Sequence, residues 1–98
     1  MNRRLIVMKC CSCKIGRIVE ISDSPDNQYK FITIAINPMD VYTYTRLVYS
    51  DTTLISDGEC NEIRVEDLKI GDLVVAYHSN TMTMSIPPQT SAYIIEVR

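Results

Sequence analysis

Tryptophan is absent from this 98-residue chain, which has one phenylalanine, one histidine and three glycines. With one imidazole there is no paired-histidine metal motif, and the sequence has neither a serine-centred nucleophile elbow nor a Gly-rich phosphate loop. The acid clusters Asp57-Gly58-Glu59 and Glu66-Asp67 read as solvated turn and cap residues rather than paired general acids. The chain is therefore expected not to be an enzyme. No run approaches the ~18 apolar residues that a membrane helix requires, and there is no internal repeat or low-complexity tract.

Strong net charge is also missing. A formal charge of −2 does not suit a protein that binds nucleic acid by bulk attraction. The charges are nevertheless uneven. Residues 1–17 hold Arg3, Arg4, Lys9, Lys14 and Arg17 with no acid, whereas residues 47–98 hold eight acids against three bases. Leu5-Ile6-Val7-Met8 is too short for the apolar part of a secretion signal, and Lys9 before Cys10 does not fit a lipoprotein-type cleavage site. The expected compartment is the cytoplasm, although a processed or trimmed N-terminus would give an exported form the same appearance.

What the chain does have is β-pattern. "KIGRIVEIS" (14–22) is rich in Ile and Val and stops at the turn cluster "DSPDN" (23–27). "QYKFITIAI" (28–36) places Ile32, Ile34 and Ile36 on one face and Tyr29, Phe31, Thr33 and Ala35 on the other. "VYTYTRLVY" (41–49) alternates Tyr42, Tyr44, Arg46 and Val48 against Thr43, Thr45, Leu47 and Tyr49. "DTTLISDG" (51–58) could add a short strand. "RVEDLKIGD" (64–72) predicts one helical turn ended by Gly71. "DLVVAYHS" (72–79) and "SAYIIEV" (91–97) are the last two strands, joined by the extended "MTMSIPPQ" (82–89) with Pro87-Pro88.

Three strands, a helical turn and two further strands are the layout of a small Greek-key barrel of OB type; an SH3-like barrel is the alternative. The expected organisation is a basic, cysteine-rich lead segment at 1–13 and one barrel domain at 14–98. "GRIVEI" (16–21), "VEDLKIGDLV" (65–74) and "TMTMSIPPQTSAYIIEV" (81–97) together resemble a group of small β-barrel domains of Gram-positive bacteria. That group is marked by L-x-x-G-D-x-V and T-x-S-x-P-P-Q patterns. The resemblance spans roughly residues 14–98, implies the barrel and brings no activity with it.

Three candidate sites follow. The first is metallic: Cys10 and Cys13 form C-x-x-C, and only Cys11, Cys60 and His78 remain to complete four ligands. A zinc site of Cys10, Cys13, Cys60 and His78 is the alternative to reduced thiols in a lead segment without cofactor. The second site is aromatic. Tyr29, Phe31, Tyr42 and Tyr44 with Arg46 would form a platform of rings beside a guanidinium, able to meet a protein partner or to stack single-stranded bases. The third is the connection bearing Ser85, Pro87, Pro88 and Gln89, with Met and Ile covering the barrel end and a recognition role as the sharper alternative. The combined expectation is a monomeric binding module for an unknown protein or peptide. Single-stranded nucleic acid is the first alternative and a zinc-stabilised structural module the second.

Overall fold

The computed structural model describes residues 12–98. Six strands are present: β1 (Ser12–Asp23), β2 (Lys30–Ala35), β3 (Tyr44–Tyr49), β4 (Leu54–Ser56), β5 (Leu73–His78) and β6 (Gln89–Val97). Antiparallel pairing runs from β3 through β2, β1 and β5 to β6, and a parallel contact of β6 on β3 closes the ring. The result is a closed five-stranded barrel consistent with the OB-like layout, in which the third strand meets the last. Short β4 pairs with β6 beyond the end of β3, at Leu54–Ser56 opposite Ile94–Glu96. The five expected strands are present, and the 51–58 stretch supplies the sixth.

β1 is long because it serves two neighbours. Its first half, Ser12–Arg17, pairs with β5, and its second half, Arg17–Asp23, pairs with β2. The hand-over needs Gly16, since a Cβ there would stand 2.9 Å from the Ala35 carbonyl oxygen. A bulge between Ile18 and Glu20 adds local twist just after the hand-over. β1 starts at Ser12, two residues before the expected barrel boundary, so Cys13 belongs to the strand and not to a lead segment.

The core consists of aliphatic side chains. Ile18, Ile32, Ile34, Leu47, Val74 and Ile95 are fully buried, drawn from β1, β2, β3, β5 and β6. No ring is among the largest fully buried side chains; β-branched residues fill the narrow barrel and leave the aromatics outside or at its margins. The expected helical turn is a single 3₁₀ turn at Val65–Asp67, capped where the Asp67 carboxylate accepts from the Arg64 N–H. Its Val65 and Leu68 are buried and plug one barrel end. Gly71 then turns the chain at φ +96 into β5.

Two expected strands are shorter than their patterns. Ile36 leaves the barrel and is exposed, because β2 stops at Ala35 ahead of Asn37 and Pro38. Residues Val41–Thr43 form a 3₁₀ turn instead of the start of β3. The Asp40 carboxylate accepts from the Tyr42 N–H and the Asn37 side chain accepts from the Met39 N–H, so local capping overrides β-propensity there. No helix among the described residues is long and apolar enough to cross a membrane.

Candidate functional site

The 37–43 connection and the 79–88 connection lie at the same barrel end, on either side of the start of β3. The first is fixed by its Asx turn and by the Tyr44 hydroxyl, which donates to the Pro38 carbonyl at 2.7 Å. The second is fixed by Thr90, a buried residue whose hydroxyl lies 3.0 Å and 2.8 Å from the carbonyl oxygens of Ser79 and Thr81. Thr83 Oγ accepts from the Gln89 N–H, Ser85 Oγ donates to the Pro87 carbonyl, and the Arg46 N–H donates to the Pro88 carbonyl. The Ile86–Pro87 peptide is cis.

Both connections present apolar side chains to solvent. Met39 is 92% exposed, Tyr42 79%, Met84 100% and Ile86 66%. Met84 and Ile86 were expected to cover the barrel end; they project outward instead, since the hydrogen bonds of Thr81, Thr83 and Gln89 pin the two arms of the loop and leave its tip in solvent. Ile15 of β1 and Ile36, just after β2, are exposed as well. Between them a recess of about 550 Å³ opens where β1 parts from β2, lined by Cys13–Arg17, Ala35, Ile36 and Leu73.

The four expected rings are not one platform. Phe31 and Tyr44 both lie on the outward face, yet Phe31 pairs with Val48 and Tyr44 with Ala35. Four residues of strand separate them, about 13 Å. Tyr42 belongs to the 3₁₀ turn and Tyr29 to the loop before β2, at the far end of that strand. What the outward face does bring together is Arg46 and Phe31. The guanidinium carbon lies 5.4 Å from the ring centroid, a cation–π contact. Arg46 Nε is buried and has no hydrogen-bond partner among the described residues.

From Arg46 the outward face continues across β6, where Gln89 pairs with Arg46 and Ser91 with Val48. It ends in a groove of about 260 Å³ formed by Val48, Ser79, Thr81, Met82, Thr83 and residues Gln89–Ser91. The alternation of Thr81 and Thr83 with Met82 and Met84 gave the hydroxyl groups of this groove, whereas the exposure of Met39 and Met84 was not anticipated from sequence. The asparagine, proline and aspartate at 37–40 were the available signal, since together they specify a capped turn at that point.

Of the four metal-ligand candidates, the three among the described residues, Cys13, Cys60 and His78, are not gathered. Cys10 lies outside the described residues. Cys13 pairs with Tyr77, and its side chain faces away from that of the next residue, His78. Cys60 follows β4 close to Glu96 of β6, whereas His78 pairs with Ala92, about 13 Å further along that strand. Among the described residues no group of three or more His, Cys, Asp or Glu side chains is placed to share an ion. His78 points inward and is buried, with Nδ1 donating to the Ser79 carbonyl at 2.9 Å. A carbonyl can only accept, so Nδ1 carries a proton, and buried Nε2 has no partner among the described residues.

No protein-family model, curated protein or solved structure matches the chain.

Proposed function

We propose that this protein is a non-enzymatic binding module, and that it holds a protein segment in extended form across the barrel end built by residues 36–46 and 79–91. The observation that carries this reading is the concentration of exposed apolar side chains, Met39, Tyr42, Met84 and Ile86, on two connections that hydrogen bonds hold in place. An apolar surface of this kind on a small domain favours a macromolecular contact. Its setting suits an extended chain: along Ser12–Gly16, β1 pairs with β5 alone among the described residues, leaving a strand edge beside Ile15 and Ile36.

The nucleic-acid reading has less support. It needs rings in sequence along one face, and here the Phe31 ring lies beneath Arg46 and the Tyr44 hydroxyl is tied to Pro38. The zinc reading needs Cys60 and His78 together, and they lie against β6 about 13 Å apart along that strand.

The test is selection of binders from a random linear peptide library on the full chain, with counter-selection on the Tyr42→Ala/Ile86→Ser variant. Enriched peptides should bind the wild type about tenfold more tightly than the variant, since truncating an interface aromatic commonly costs over 1 kcal/mol. Equal binding to both proteins would place the contact elsewhere and overturn the reading.

A further inference from the structure

The charges of the chain are sorted between its ends. Residues 28–50 contain one acid, Asp40, and residues 1–17 and 73–95 contain none. The other eleven acids fall within 18–27 and 51–72 and at position 96. Asp40 is committed to its own turn, through the Tyr42 N–H. The apolar end therefore offers bases with little acid to answer them. Lys14 points into the barrel mouth, where it donates to the buried Thr45 Oγ at 3.2 Å, whereas Arg46 lies on the outward face between the two connections.

Arg46 is the group that lacks a partner. It forms no salt bridge among the described residues. The acid nearest to it on the outward face, Glu20, stands on β1 with Thr33 of β2 between them, two strand spacings or about 10 Å away. Residues 1–11 contain no acid that could fill the gap. A guanidinium held over a ring, with no carboxylate paired to it among the described residues, is pre-set for a planar anion that takes two parallel hydrogen bonds from its terminal nitrogens. The hydroxyl-lined groove beginning at Gln89 gives further donors alongside.

We propose that the partner held at this end is an acidic peptide whose apolar side chains meet Tyr42 and Ile86 while one of its carboxylates pairs with Arg46. This deepens the reading of the barrel end as a peptide site and rests on it. A nucleic-acid strand fits less well. It brings a charge at every phosphate to a face on which Arg46 is the base in reach, on a body whose remaining surface carries eleven acids.

The experiment is fluorescence anisotropy on the full chain with a labelled peptide that alternates glutamate with leucine and tyrosine. Counterparts carrying glutamine or lysine in place of glutamate, and an oligothymidylate of equal charge, are measured in parallel. The glutamate peptide should bind about tenfold or more tightly than the glutamine peptide, the scale of a charge-assisted bidentate pair. Arg46→Ala should abolish that preference and leave the glutamine peptide unaffected. Arg46→Lys, which keeps the charge and loses the fork, should retain only part of it. Circular dichroism confirms that both variants are folded.

Equal binding of the glutamate and glutamine peptides, with both weakened by Tyr42→Ala, would overturn the acidic partner while leaving the peptide site standing. Tighter binding of the oligothymidylate than of the glutamate peptide would overturn the peptide in favour of a polyanion. Failure of every probe to bind would overturn both readings.

Discussion

Arg46 and Phe31 sit diagonally across the β2–β3 pairing, and the guanidinium carbon stands 5.4 Å from the ring centroid. Their contact joins fold to site. It shelters outward-facing Thr33, which is buried although it lies on the exterior of the barrel. It also holds the arginine in one orientation before any partner arrives. A cation–π pair at a partly exposed position contributes ~0.5–1 kcal/mol. Arg46→Ala is accordingly expected to lower the urea unfolding free energy by about 1 kcal/mol and to leave the fold intact.

The three glycines should separate cleanly on substitution by alanine. At Gly16 the new Cβ would press on the backbone of Ala35, so Gly16→Ala is expected to cost about 1–3 kcal/mol. Gly71 has open space around it and a φ of +96, so alanine there pays only for backbone strain, about 1–2 kcal/mol. Gly58 meets its nearest atom at an ordinary 3.5 Å, and Gly58→Ala should change stability by less than about 0.5 kcal/mol. Thermal and urea melts of the three variants give the order directly.

Most of the barrel was legible from the sequence. Ile18, Ile32, Ile34, Leu47 and Val74 lie inside because a period of two, applied to β-branched and aliphatic residues, leaves a strand few other ways to pack. The site was less legible. The alternation at 41–49 predicted a continuous strand and put Tyr42 beside Tyr44, yet the Asp40 carboxylate takes the Tyr42 N–H and starts a 3₁₀ turn. Local capping bonds from Asn37 and Asp40 outweighed the propensity of three residues, Val41–Thr43. The meeting of Arg46 with Phe31 depends on cross-strand register, and that of Arg46 with Gln89 on barrel closure. Neither pairing is written in any local stretch of sequence.

The 79–88 connection should depend on Thr90. Its buried hydroxyl sits between two carbonyl oxygens, from Ser79 and Thr81, and Thr90→Val would leave both without that donor. Losing such a buried bond costs about 1–3 kcal/mol. The expected signature is local, with amide exchange accelerating over 79–89 more than in β1 or β2. A uniform acceleration throughout the barrel would show instead that Thr90 acts on global stability.

Two exposed carboxylates should titrate early. Asp57 is held below its ordinary value of 3.8, chiefly by the backbone N–H groups of Asn61 and Glu59, and Asp26 is held below it by Ser24 Oγ and the Gln28 N–H. A depressed folded value means that the unfolded chain binds more protons at the same pH. Their stabilising contribution is therefore complete above the ordinary carboxylate range and is lost as pH falls through the depressed values. The melting-temperature gap between wild type and Asp57→Ala should be constant near neutral pH and should close in acid. NMR titration should place the Asp26 and Asp57 carboxyls below their ordinary value.

The peptide site at the barrel end is tested most directly by an amide NMR titration of the full chain with the glutamate-leucine-tyrosine peptide. Saturable shifts confined to residues 12–16, 36–46 and 79–91, absent in the Tyr42→Ala/Ile86→Ser variant, are the expected result. Saturable shifts centred on the acidic 51–72 segment, or none at any peptide concentration, would contradict it.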